Sequence, residues 1–87
     1  MEMNLINEKY NYDKYYSVAY DEINQRYVMV IIVSNVSKQD WYNQYYSISE
    51  EEYKLFDNDI NKLDLIFDEC YKEGTVSKRY IISDVQE

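Results

Sequence analysis

Residues 49–74 read SEEEYKLFDNDINKLDLIFDECYKEG, and this stretch decides the fold. Ser49 followed three residues later by Glu52 has the form of a capping box, in which a hydroxyl and a carboxylate satisfy the unpaired N–H groups of a starting helix. Glu50, Glu51 and Glu52 set negative charge at the positive end of the helix dipole. Tyr53, Phe56, Ile60, Leu63, Phe67 and Cys70 then recur at spacings of three and four, one continuous apolar stripe. Gly74, the sole glycine of the chain, comes just after Lys72, where a helix C-cap favours a residue free to take a positive φ. The stretch predicts one helix of about 24 residues, roughly 36 Å long at 1.5 Å per residue.

The segments before it read as strands. Tyr15-Tyr16-Ser17-Val18-Ala19-Tyr20 is rich in aromatic and β-branched residues. Asp21-Glu22-Ile23-Asn24-Gln25 supplies a polar hairpin turn. In the next strand, Arg26 to Ser34, the core Val28-Met29-Val30-Ile31-Ile32-Val33 is apolar at every position, which marks a central strand covered on both faces. A polar loop at 35–40 leads to a third strand, Trp41 to Ile48. Alternation puts Trp41 and Tyr45 on one face and Tyr42, Tyr46 and Ile48 on the other. After the helix, Ser77 to Val85 forms a last strand around Tyr80-Ile81-Ile82. Residues 1–12 are a polar lead-in with Leu5 and Ile6 as anchors. The expectation is a single α+β domain over 1–87: an antiparallel sheet of about four strands with one long helix packed on it, in the order β-β-β-α-β.

Composition narrows the function. The chain has 87 residues, 46% of them apolar, with no histidine, no proline, one cysteine, twelve tyrosines and a net charge of −8. Absent histidine removes the commonest general base and transition-metal ligand. A single cysteine removes intramolecular disulfides, iron–sulfur clusters and structural zinc. The negative charge opposes direct binding to DNA or RNA. The longest apolar run, Tyr27 to Val33, is far short of the ~20 residues a spanning helix needs, and the N-terminus has no signal-peptide pattern, so a cytoplasmic location is expected. Paired carboxylates do acid–base chemistry without histidine, but they need a walled cleft, and four short connections leave little room for one. No catalytic residue, cofactor or metal is therefore expected. Asp57-x-Asp59-x-Asn61 with Asp68 approaches a calcium-loop pattern, but Lys62 stands where the loop needs glycine and Asp64 where it needs an apolar residue. Cys70 falls on the apolar stripe and reads as a core thiol.

Two features point to a protein partner. On a helical wheel Glu50, Asp57, Asp64 and Asp68 lie within about 40° of one another beside the apolar stripe, at 100° per residue. This acidic side reads either as a solvated face with i,i+4 pairs or as a docking face for a basic protein. Trp41, Tyr42, Tyr45 and Tyr46 sit on both faces of one strand, of which the helix covers only one. Tyr10, Tyr12, Tyr15 and Tyr16 add further aromatic surface, and tyrosine and tryptophan are enriched at interface hot spots. The candidate partner-binding residues are Trp41, Tyr42, Tyr45, Glu50, Asp57, Asp64 and Asp68.

The run from Trp41-Tyr42-Asn43-Gln44-Tyr45-Tyr46 through Glu50-Glu51-Glu52-Tyr53 and Asp68-Glu69-Cys70-Tyr71 to Arg79-Tyr80-Ile81-Ile82-Ser83-Asp84 resembles the small acidic bacterial immunity proteins of polymorphic and contact-dependent growth-inhibition toxin systems. The likeness lies in element order, acidity and aromatic texture over about half the chain. It implies a non-enzymatic inhibitor that neutralises one cognate, cationic toxin domain, often a nuclease in such systems. Ala19-Tyr20-Asp21-Glu22, Val28-Met29 and Trp41 are similar in type and spacing to a stretch of the phage inhibitors of uracil-DNA glycosylase, which are acidic DNA mimics. Their N-terminal helices have no counterpart here, so this likeness carries only a wider alternative: an anti-CRISPR or other anti-defence inhibitor whose carboxylates imitate phosphates. Either way the expected partner is one basic protein, with no nucleic acid or membrane bound directly, and the chain is expected to be a monomer or a small homo-oligomer.

Overall fold

The computed structural model describes residues 2–35 and 40–84. Most of the expected loop at 35–40 and Val85, at the end of the last expected strand, lie outside the described residues. Within them the chain runs β1 (Leu5–Asn11), β2 (Tyr16–Asp21), β3 (Arg26–Asn35), β4 (Asp40–Ile48), α1 (Glu50–Asn58), α2 (Ile60–Glu73), a 3-10 turn at Gly74–Val76 and β5 (Tyr80–Ser83). The strands lie in the order β1-β2-β3-β4-β5, each antiparallel to its neighbour. The fold is α+β, as the strand and helix patterns predict, and β3 takes the central place that its unbroken apolar run demands. Val28, Met29 and Ile31 are fully buried, on alternating faces.

The order departs from expectation in two ways. First, residues 5–11 are an edge strand and not a lead-in. Its register shifts between Ile6 and Lys9, and Asn7 takes a φ of 53°. This bulge puts Leu5, Ile6 and Tyr10 out of phase with a simple alternation, which hides the strand in the sequence. The Tyr53 hydroxyl donates to the Asn7 carbonyl (2.5 Å) and the Lys9 ammonium pairs with Asp57, so the strand is tied to α1. Second, the long helix is two helices. Asp59 breaks it with φ −160° and ψ 81°. The Asp59 N–H closes α1 on the Leu55 carbonyl (2.8 Å), and its carboxylate accepts from the Lys62 N–H (3.4 Å) to open α2. Short acidic and amide side chains such as Asn58 and Asp59 compete with the helix for backbone groups, and aspartate is a favoured N-cap.

The ends of this helical pair follow the sequence signals. Ser49 and Glu52 form the reciprocal capping box, with the Glu52 N–H donating to the serine hydroxyl (3.1 Å) and the Ser49 N–H to the Glu52 carboxylate (2.8 Å). Gly74 caps α2 at φ 60° and ψ −134°, with its N–H on the Cys70 carbonyl. A Cβ at Gly74 would meet open space, so only the backbone conformation opposes a side chain. Gly74→Ala is expected to cost about 1–2 kcal/mol, read by urea denaturation, because that φ/ψ combination is strained for any L-residue.

The core lies between the helices and one sheet face. Tyr16, Val18, Met29, Ile31, Tyr46 and Ile48 from the sheet pack with Leu63, Phe67 and Cys70 from α2. Tyr53 and Phe56 of α1 and Ile60 of α2 complete the expected stripe. Burial pushes the Cys70 thiol up to about 11, so it stays protonated at neutral pH.

Candidate functional site

Trp41, the second residue of β4, has 68% of its surface exposed, and two other aromatics stand beside it. Tyr15 ends the β1–β2 turn with a φ of 60°, and Tyr71 lies in the last turns of α2; they are 64% and 60% exposed. With Lys14 and Ile32 these three rings line a groove of about 520 Å³. The pairing of Tyr16 with Ile31 sets Tyr15 and Ile32 at the same end of the sheet.

The groove is held by polar contacts below it. The Asn11 side-chain oxygen accepts from the N–H groups of Asp13 (2.9 Å) and Lys14 (3.2 Å), which shapes the turn carrying Tyr15. The Asn11 amide nitrogen donates to Asp64 (3.3 Å), which ties that turn to α2. Stacked rings continue the support: Tyr16 on Phe67 with centroids 4.8 Å apart, and Phe67 on Tyr71 at 5.7 Å. A row of aromatics thus runs from the core to the groove wall, so Tyr71 is exposed yet positioned.

The four helix carboxylates divide by what they touch. Glu50 pairs with Lys54 one turn on, at 3.4 Å. Asp57 pairs with Lys9, whose ammonium also lies 4.8 Å from the Tyr53 ring centroid. Asp64 accepts from the Tyr16 hydroxyl (2.7 Å) as well as from Asn11. Burial, and then this bond to Asp64, keep the Tyr16 hydroxyl protonated far above the usual phenol range. Asp68 is exposed. Its spacing from Asp64 and Tyr71 sets all three on one side of α2.

Tyr42 and Tyr45 are half-buried. Tyr45 packs on a second cluster, Ala19, Val28 and Val30, together with Leu5 and Ile81, on the sheet face away from the helices. Among the described residues that face carries no helix, but side chains from the edge strands, Leu5 and Ile81, pack on its centre. The Ser17 hydroxyl donates to Glu8 (2.6 Å), and Asp84 accepts from the Asn43 N–H (2.7 Å) and from the Tyr45 hydroxyl (3.4 Å). Burial raises the Tyr45 hydroxyl; the Asn43 side chain opposes this, and the charges of Asp84 and Glu8 add to it. Of the predicted set the structure therefore places Trp41 in the groove lining, together with Tyr15 and Tyr71, and leaves Asp68 exposed on α2 one helical turn before Tyr71. It gives Tyr45, Asp57 and Asp64 internal partners.

One buried carboxylate escaped the sequence reading. Asp21 is fully buried at the end of β2. It accepts from the Asn24 amide (2.7 Å), from the N–H groups of Asn24, Ile23 and Asn4 (3.3, 3.2 and 3.3 Å), and pairs with Arg26 at 3.4 Å. Burial pushes its carboxyl up, but these hydrogen bonds outweigh burial and hold it below the ordinary aspartate value. An aspartate directly before a polar turn, able to accept from the N–H two residues on, is an Asx-turn signal that would have found it.

Among the described residues no group of three or more histidine, cysteine, aspartate or glutamate side chains is placed to hold a metal ion, and no helix is long and apolar enough to cross a membrane. Comparison with protein-family models, with curated proteins and with solved structures finds no match.

Proposed function

We propose that the chain is a non-enzymatic inhibitor that binds one basic protein, in the manner of an immunity protein neutralising a cognate toxin domain. The observation that carries this reading is the exposed aromatic groove of Tyr15, Trp41 and Tyr71 on a protein of net charge −8. Exposed tryptophan and tyrosine clustered in a shaped depression are what a protein partner desolvates most profitably. The net charge draws a cationic partner in and speeds encounter, and ring burial then slows release. The phosphate-mimic alternative relies on Asp57, Asp64 and Asp68 as open carboxylates. Asp57, though exposed, pairs with Lys9, and Asp64 accepts from Tyr16 and Asn11, so both already have partners within the chain and the groove supports the aromatic reading better.

The test is co-expression with the product of the adjacent gene, followed by calorimetry on the purified pair. Relief of growth arrest with a saturable one-to-one complex is the expected result. Growth arrest that persists, with no complex formed, overturns the proposal.

A further inference from the structure

The groove has the chemistry of a seat for one kind of side chain. We propose that it takes an arginine from the partner, its guanidinium flat against Trp41 and Tyr71 and its stem over Ile32, an inference that rests on the partner being a basic protein. Three aromatic rings and one aliphatic side chain line it. The guanidinium group is planar and weakly hydrated, stacks on ring faces, and is attracted by their negative π-surface.

Charge selects the sign of the occupant. An exposed carboxylate stands near each ring in sequence: Asp13 two residues before Tyr15, Asp40 next to Trp41, and Asp68 one helical turn before Tyr71. The Trp41 N–H donates to the Asp40 carboxylate at 2.7 Å, which orients that acid at the groove end of β4. Lys14 is the opposing charge on the lining. It is exposed, so its ammonium stays in water while its stem serves as wall. The same chemistry is already closed elsewhere in the fold, where Lys9 sits over the Tyr53 ring while pairing with Asp57. The groove offers rings open to solvent, with Asp13, Asp40 and Asp68 close to them in sequence.

The probe is the capped tripeptide Gly-Arg-Gly, titrated into the isotopically labelled chain and followed by amide and indole NMR shifts. Control peptides carry citrulline, norleucine or glutamate in place of arginine. Saturable shifts at Tyr15, Tyr71 and the Trp41 indole are expected with arginine, about threefold weaker with citrulline, which keeps the plane but not the charge. Asp68→Asn should weaken arginine binding about threefold and Lys14→Gln should strengthen it by a similar factor, both being exposed charges. Trp41→Ala should abolish it, with the remaining amide spectrum reporting that the variant is folded.

Equal binding of the norleucine peptide would make the groove a plain apolar slot, and tighter binding of the glutamate peptide, lost in Lys14→Gln, would make it an anion site. Either result overturns the proposal, as does the absence of saturation with arginine at tens of millimolar. If arginine fails while the adjacent gene's product still binds, the arginine seat alone falls. If arginine binds while that product does not, the seat stands and the inhibitor reading falls.

Discussion

Asp21→Ala is expected to unfold at a much lower urea concentration than the parent chain, with a loss of about 3 kcal/mol. The carboxylate is fully buried and accepts from three backbone N–H groups and the Asn24 amide. Hydrogen bonds to a charged group contribute about 1.5–3 kcal/mol each before non-additivity, and deleting the acceptor strands their donors. The Asn4 bond also fastens the segment entering β1 to the β2–β3 turn. A loss of this size is a large share of the ~5–15 kcal/mol that holds a small domain. The sign of the acid dependence follows from the folded carboxyl lying below its ordinary value of 3.8. The stabilisation is complete above the unfolded value and is lost as pH falls through the folded one. The stability gap between the parent and Asp21→Asn should therefore be widest near neutrality and close in strong acid. A gap that stays constant down to pH 2 would show that shape, not charge, holds the turn. Glu52 adds an acid dependence of the same sign, because its forked pair with Arg79 (2.7 and 2.8 Å) lowers its carboxyl.

Trp41→Ala is expected to raise the dissociation constant for the proposed protein partner at least 30-fold, the scale of a hot-spot tryptophan at about 2 kcal/mol or more. The change should appear in the dissociation rate, since ring burial acts after encounter. Urea stability should stay within about 0.5 kcal/mol of the parent, because the ring is mostly exposed. Tyr15→Ala should behave alike. Tyr45→Ala is a poorer probe of the interface: its ring packs on Ala19, Val28 and Val30, so it loses stability as well. Neutralising Asp57 and Asp64 together is similarly confounded, because these acids hold Lys9 of β1, the Tyr16 hydroxyl and the Asn11 turn. Surface biosensor rates at fixed salt, paired with denaturation curves, separate the two classes. A Trp41→Ala variant with parental dissociation would place the interface elsewhere.

What the sequence made legible was local. The capping box at Ser49, the cap at Gly74, the stripe from Tyr53 to Cys70 and the unbroken apolar run of β3 each depend on neighbours a few residues away, and each is present. The break at Asp59 was masked by the stripe, whose spacing of three and four runs on from Phe56 through Ile60, so periodicity alone reports one helix; the Asn58-Asp59 pair was the available warning. β1 was masked by its bulge at Asn7, which spoils the alternation that identifies strands. The groove was half legible. Trp41 stood out as a large aromatic at a strand start, but Tyr15 and Tyr71 become its neighbours only through the β1–β2 turn and the end of α2. The acidic stripe was drawn on one continuous helix, and the break at Asp59 divides it, with Glu50 and Asp57 on α1 and Asp64 and Asp68 on α2. Its residues' partners, Lys9, Asn11 and Tyr16, are distant in sequence and invisible to a helical wheel.

The chain's sole tryptophan allows the central claim to be tested at the groove itself. With 5-fluorotryptophan at Trp41, the single fluorine resonance in the free protein should show the solvent isotope shift of an exposed indole. On adding the adjacent gene's product, the account predicts that this resonance moves and that its difference between H₂O and D₂O disappears, as the ring passes into the interface. Partner binding that leaves the resonance in place, with its isotope shift intact, would contradict the account.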